Sequence, residues 1–181
     1  MKSLLLSLLL LPLFAFAQND KDENPLHKLG PNPIFIIDSV KITRADFQKF
    51  SPNTIASLEV LTDTDATKKF GDTATDGAVI ILTKSMARRI YSAYFKRKSA
   101  AYDSLYSAAK SDSSFLYIVN DKIKTEQFEG DLTAINDEVF ISLDILTADD
   151  LKNKYNITDR QIGVLIKCRK PKNVFNADQK Y

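Results

Sequence analysis

The chain has 181 residues, with 25 Lys plus Arg against 23 Asp plus Glu and a formal net charge of +2. A balance so close to neutral argues against nucleic acid as the main partner, because counterion release requires a clustered excess of Lys and Arg. One cysteine excludes an intramolecular disulfide and a Cys-cluster zinc site, and one histidine (His27) excludes every mechanism built on paired histidines.

Residues 1–17 read as a signal peptide. Lys2 precedes an apolar run from Leu4, interrupted only by Ser7 and Pro12, and Ala15-Phe16-Ala17 forms an A-x-A cleavage pattern before Gln18. The apolar run is about 14 residues, short of the roughly 20 that span hydrocarbon. The expected product therefore works outside the cytoplasm, periplasmic, outer-membrane-associated or secreted. No cysteine follows the run to carry a lipid. Residues 18–33 are polar, with Pro25, Pro31 and Pro33, and predict an extended, mobile leader.

Two segments with one order of elements follow, residues 34–85 and 116–170. The first holds IFIIDSVKI (34–42), SLEVLTDTDATKKFG (57–71) and DGAVIILTK (76–84); the second holds LYIVNDKIK (116–124), SLDILTADDLKNKYN (142–156) and IGVLIKCRK (162–170). Asp38 matches Asn120 at an offset of 82, Leu58 matches Leu143 at 85, and Gly77 matches Gly163 at 86. Offsets that drift so little predict a duplication.

Each unit reads as β-α-β-α-β. Ile34-Phe35-Ile36-Ile37 and Leu116-Tyr117-Ile118-Val119 are β-rich runs ending in turn formers. Leu58-Glu59-Val60-Leu61 and Leu143-Asp144-Ile145-Leu146 form a second strand whose first and third residues face the core. A short helix follows in each. Asp63 and Asp65, or Asp149 and Asp150 after the cap Thr147, sit at its start. Lys68 and Lys69, or Lys152 and Lys154, sit late in it, and Gly71 or Asn156 ends it. Ser51-Pro52 predicts a helical turn near 52–56. The third strands contain Val79–Leu82 and Val164–Ile166, and alternation places Cys168 beside Val164 and Ile166 as a buried thiol. Units this small bury little surface alone, so they should pack on each other or on a partner.

Between the units, residues 86–115 form a helical linker, with one helix expected over 86–111 because that stretch lacks Gly and Pro. Ile90, Tyr94, Tyr102, Leu105, Tyr106 and Ala109 make an apolar stripe. Arg88, Arg89, Lys96, Arg97 and Lys98 form a basic cluster, read either as a solvated face or as a contact for anionic lipid headgroups. Residues 171–181 are a polar tail.

Ile36-Ile37-Asp38, Leu58-Glu59-Val60-Leu61, Ala66-Thr67-Lys68-Lys69-Phe70-Gly71 and Asp76-Gly77-Ala78-Val79-Ile80-Ile81-Leu82-Thr83-Lys84 resemble the plug domain of TonB-dependent outer-membrane receptors. That family reads roughly V-I-D-G, I-E-S-I-E-V-L-K-D, A-T-A-x-Y-G and N-G-V-I-L-I-T-T-K. The second unit resembles it more faintly, through Leu143–Leu146, Tyr155 and Gly163 to Lys170. Ser39 stands where the family usually has Gly, as Lys122 does in the second unit. The series of strands that builds a barrel is not expected here, nor does 18–33 carry the apolar segment that engages the energising protein. The resemblance thus implies a free-standing plug-like module, without transport.

No catalytic constellation stands out. Ser107-Ala108-Ala109-Lys110 matches S-x-x-K without its companion motifs. Asp63-Thr64-Asp65 begins like a calcium loop but Thr67 and Lys69 occupy later ligand positions. Asp72, Asp76 and Glu59 have no pattern that directs them to one site. The expectation is an α+β protein of two plug-like units joined by an amphipathic helix. It would be non-enzymatic and without cofactor or metal, docking to an envelope protein such as an outer-membrane receptor, or to a second copy. The alternative is a small-ligand or lipid binder using the groove between units and the basic helix.

Overall fold

The computed structural model describes residues 25–169. The expected cleavage site at Ala15, Ala17 and Gln18 and the tail 171–181 lie outside the described residues.

Ile34–Ile37 forms β1 and Val40–Ile42 forms β2. They are antiparallel neighbours, so the turn after Ile37 leads into a return strand that the sequence pattern leaves unassigned. Asp38 and Ser39 make that turn, with φ of 51° and 72°, the left-handed pair whose twist matches the strands on either side. Helix α1 (Arg44–Gln48), a 3-10 turn over Pro52–Thr54, β3 (Ile55–Leu61), α2 (Asp63–Phe70) and β4 (Ala78–Thr83) complete the unit. Helices α3 (Lys84–Lys98) and α4 (Ala100–Ala109) lead to β5 (Phe115–Val119), β6 (Lys122–Lys124), α5 (Glu129–Thr133), β7 (Phe140–Leu146), α6 (Ala148–Tyr155) and β8 (Ile162–Cys168). The fold is α+β.

The sheets have orders β2-β1-β4-β3 and β6-β5-β8-β7. In each the inner pair is parallel and the outer pairs are antiparallel. Agreement extends to irregularities: β3 shifts register between Ile55 and Ser57, and β7 between Phe140 and Ser142, 85 residues on. Each unit is therefore β-β-α-β-α-β, one strand richer than the sequence pattern indicates.

Register corrects two of the matches read from sequence. Gly163 lies opposite Leu116 and Leu146, whereas Ala78, not Gly77, lies opposite Ile34 and Leu61. Packing explains the exchange. A Cβ on Gly163 would approach Leu151 Cδ2 to 2.7 Å, while the first unit fills the same space with Ala66 and Ala78, both fully buried. Leu with Gly in one unit replaces Ala with Ala in the other. Likewise Asp121 (φ 65°), not Lys122, takes the turn position of Ser39, and Lys122 begins β6.

Three further expectations change. Residues 25–33 are not a mobile leader: Gly30 N and Asn32 N donate to Asp76 O and Oδ2 at 2.9 Å each, and Leu29 packs against Phe35, Val79 and Ile81. The connecting helix is two helices, because Ser99 leaves helical geometry (φ −145°, ψ 114°) and its hydroxyl accepts from Tyr102 N at 3.2 Å. The break lets Tyr102 pack on Phe95, ring centroids 5.8 Å apart. Leu58 does not face a core; it is exposed, since short α1 covers less of its sheet than α3, α4 and α5 cover of the second.

Those helices make the units unequal. Tyr91, Tyr94, Phe95 and Tyr102 join Tyr117, Val119, Val164, Ile166 and Cys168 in the largest core, which the first unit lacks. Helix α5 of the second unit also lies against β3 of the first. It comes so close that a Cβ on Gly130 would run into the Ala56 carbonyl oxygen at the β3 bulge. Gly130→Ala is expected to lower stability by about 1–3 kcal/mol through this overpacking, read as a lower denaturant midpoint at unchanged slope. A raised midpoint, which helix propensity alone would give at up to about 1 kcal/mol, would contradict the close approach.

Candidate functional site

The plug-like motif residues are spread through the first unit, each with a structural task. Asp38 Oδ1 accepts from Thr83 N at 2.8 Å and Oδ2 from Thr83 Oγ1 at 2.7 Å, tying the hairpin turn to the end of β4. Asn120 does the same in the second unit, its Oδ1 accepting from Cys168 N (3.0 Å) and its Nδ2 donating to Cys168 O (2.9 Å). Glu59 pairs with Lys69 at 3.2 Å. Leu61 and Phe70 pack on Ile34, Ile36 and Ala66, and Val60 stands opposite Val79. Gly71 ends α2 at φ 75° and Gly77 turns into β4 at φ 92°. Lys84 opens α3. No single surface gathers these residues.

The basic cluster is dispersed as well. Lys96 pairs with Asp103 at 3.8 Å and sits over the Tyr106 ring. Lys98 pairs with Asp137 at 2.6 Å, Arg97 donates to Ala93 O at 3.1 Å, and Arg89 is exposed. Arg88 turns inward. Among the described residues no helix is long and apolar enough to cross a membrane. Ser107 donates to Asp103 (3.2 Å) and Lys110 ends α4 in the left-handed region.

The most concentrated chemistry lies where α3 meets the second sheet. Asp112 is buried, and its Oδ2 accepts from Tyr91 OH at 2.5 Å and from Tyr117 OH at 3.0 Å. Tyr117 has spent its proton there, so Tyr102 OH, 2.9 Å away, donates to it. Arg88 Nε meets Asp112 Oδ1 at 3.0 Å, and Arg88 Nη2 meets Glu129 Oε1 at 3.5 Å. Glu129 is also buried, yet among the described residues nothing donates to its Oε2. Beside it, Lys124 and Asp131 form an ion pair of 2.7 Å with little exposure. A cavity of about 250 Å³ opens onto Arg88, Asp112, Phe115, Phe128, Glu129 and Arg160.

Sequence reasoning placed Arg88 in a basic face and passed over Asp112 and Glu129. The signal that was present is a tyrosine stripe on a helix facing a strand tyrosine, since buried phenols need acceptors. Cys168 does lie with Val164 and Ile166 in the core, unpaired. Burial raises its thiol pKa, against the hydrogen bond from Asn120.

A second feature is an edge. β7 pairs with β8 alone, and Ile141, its bulged residue, is 58% exposed. The matching bulge in β3 is covered by α5.

No protein-family model, no curated protein and no solved structure matches the chain.

Burial, with the charge of Asp112 adding to it, raises the pKa of Tyr91, Tyr102 and Tyr117, and burial with the bond to Asp137 pushes Tyr94 up to about 12. Unfolded tyrosine titrates near pH 10, so the unfolded state releases these protons first. Their stabilisation is present below about pH 10 and falls as pH rises above it. Tyrosinate absorbance from the three buried rings should therefore appear together with loss of far-UV ellipticity. Titration of all 7 tyrosines near pH 10, with ellipticity unchanged, would contradict the buried cluster.

Proposed function

We propose that the protein is an extracytoplasmic, non-enzymatic interaction module. In this reading residues 1–17 direct export, and the remainder docks to an envelope protein by accepting an extended segment along β7. The signal-like N-terminus and the plug-like motifs of residues 36–84 support the location.

The observation that carries the docking reading is the unequal fate of two equivalent edges. At its bulge β3 is met by Gly130 and its helix, against the Ala56 carbonyl, whereas at the matching bulge of β7 Ile141 is 58% exposed. Open edges offer main-chain donors and acceptors in register, the basis of strand addition. Beyond the bulge, Ser142–Leu146 pair regularly with β8, so a stretch of edge in regular register is available. Leu143 and Ile145 pack into the core beneath and hold that edge still.

A second copy of the chain is a poor occupant if it repeats the internal contact. The position equivalent to Gly130 is Ala45 and that equivalent to Ala56 is Ile141, each 85 residues away. Ala45 brings a Cβ where the internal contact leaves no room for one at Gly130, and Ile141 is bulkier than Ala56.

A photo-crosslinking residue at Ile141, in cells that make the protein, should capture one envelope protein of discrete mass. The same residue at Ser57, beside the covered bulge, should not. Capture of only self-crosslinked chain, or equal capture from both positions, would overturn the reading.

A further inference from the structure

Four strands form the outer edges of the two sheets: β2, β3, β6 and β7. β3 is met at its bulge by α5, and β6 carries Lys122 and Lys124 on either side of Ile123. β2 and β7 remain. They hold the two most exposed large apolar side chains among the described residues, Val40 at 62% and Ile141 at 58%. Each also carries an exposed charge with no ion partner among the described residues, Lys41 on β2 and Asp144 on β7.

The first unit neutralises the position equivalent to Asp144: Glu59, 85 residues earlier, pairs with Lys69 at 3.2 Å. In the second unit the equivalent cation, Lys154, is committed to Asp150 at 3.6 Å. Lys167, on the neighbouring strand β8, is committed to Asp121. Asp144 meets the Ser142 hydroxyl alone, at 3.5 Å. The two edges also match in pattern. Val40 and Ile42 lie opposite Ile37 and Phe35 on a core-facing side, and Lys41 takes the other face. Leu143 and Ile145 pack into the largest core, and Asp144 takes the other face.

We propose that β2 of one copy of the chain adds to β7 of the next. Lys41 then stands beside Asp144, and Val40 and Ile42 stand beside Leu143 and Ile145, whichever way the strands run. Opposite charges meet on one face and apolar residues on the other, the pairs that stabilise a sheet. β7 on β7, or β2 on β2, in the same register would set like charges together. The contact is head-to-tail, so each added copy leaves one β2 and one β7 free for the next. It does not repeat the internal contact of α5 with β3. Nor does it rest on the docking reading. An envelope partner takes the same edge in cells and displaces the copy, so association is read on the purified chain alone.

Sedimentation equilibrium of the purified chain over a wide concentration range tests the contact. The average mass should rise above that of one chain as concentration increases. Lys41→Asp and Asp144→Lys each set like charges together, and each alone should need about tenfold more protein to reach the same average mass. Mixing the two variants in equal amounts pairs opposite charges again and should restore association to that of the unaltered chain. The double variant carrying both changes in one chain should associate likewise. An unaltered chain that keeps the mass of one copy at every concentration overturns the proposal. So do single variants that associate as well as the unaltered chain, and so does a mixture that associates no better than its components.

Discussion

The Asp112 carboxylate organises the molecule. It lies just before β5 and takes two phenolic protons and one guanidinium, fixing α3 on the second sheet. Through Arg88 the same group reaches Glu129 at the head of α5, and the next residue, Gly130, sits against the backbone of β3. One polar relay thus joins the connecting helix, the second sheet and the edge of the first. Buried polar groups demand partners in definite directions, so such a relay specifies one arrangement where apolar packing alone permits several.

The relay also explains why two units with the same strand order behave differently. Symmetric units would cover or expose their edges alike. Here the connecting helices add four buried aromatic rings to the second unit only, and α5 meets β3 at its bulge while the matching bulge of β7 leaves Ile141 exposed. The first unit draws on its N-terminal segment instead, with Leu29 packed on its sheet and Asp76 accepting two backbone donors. Each unit thus draws packing from segments outside it, in line with the little surface that pieces of this size bury alone.

Much of the fold was legible because it rests on local chemistry. Acids early, lysines late and Gly71 or Asn156 at the end predicted α2 and α6, and α6 carries a full capping box between Thr147 and Asp150. The turn formers at Asp38 and Asn120-Asp121 are legible, but neither turn has the glycine that advertises a left-handed two-residue hairpin, so the short return strands β2 and β6 go unread. The break at Ser99 was hidden for a similar reason, since serine is tolerated inside helices and declares itself a cap only through its fold. Leu58 misled because alternation shows which residues share a face and not whether anything covers it. The candidate site was least legible. Arg88, Asp112 and Glu129 are far apart in the chain and each is ordinary in isolation; only tertiary structure brings them together.

Arg88 and Asp112 act as one unit, joined at 3.0 Å. A double-mutant cycle with Arg88→Met and Asp112→Asn, read by equilibrium unfolding of the full chain, tests it most directly. Because Arg88 remains 44% exposed, solvent screening reduces the coupling below that of a fully buried pair. A coupling of about 1–2 kcal/mol is still expected, at or just below the low end of the range of about 1.5–3 kcal/mol for hydrogen bonds to charged groups. Single-variant effects that add to within about 0.5 kcal/mol, as for independent sites, would contradict it.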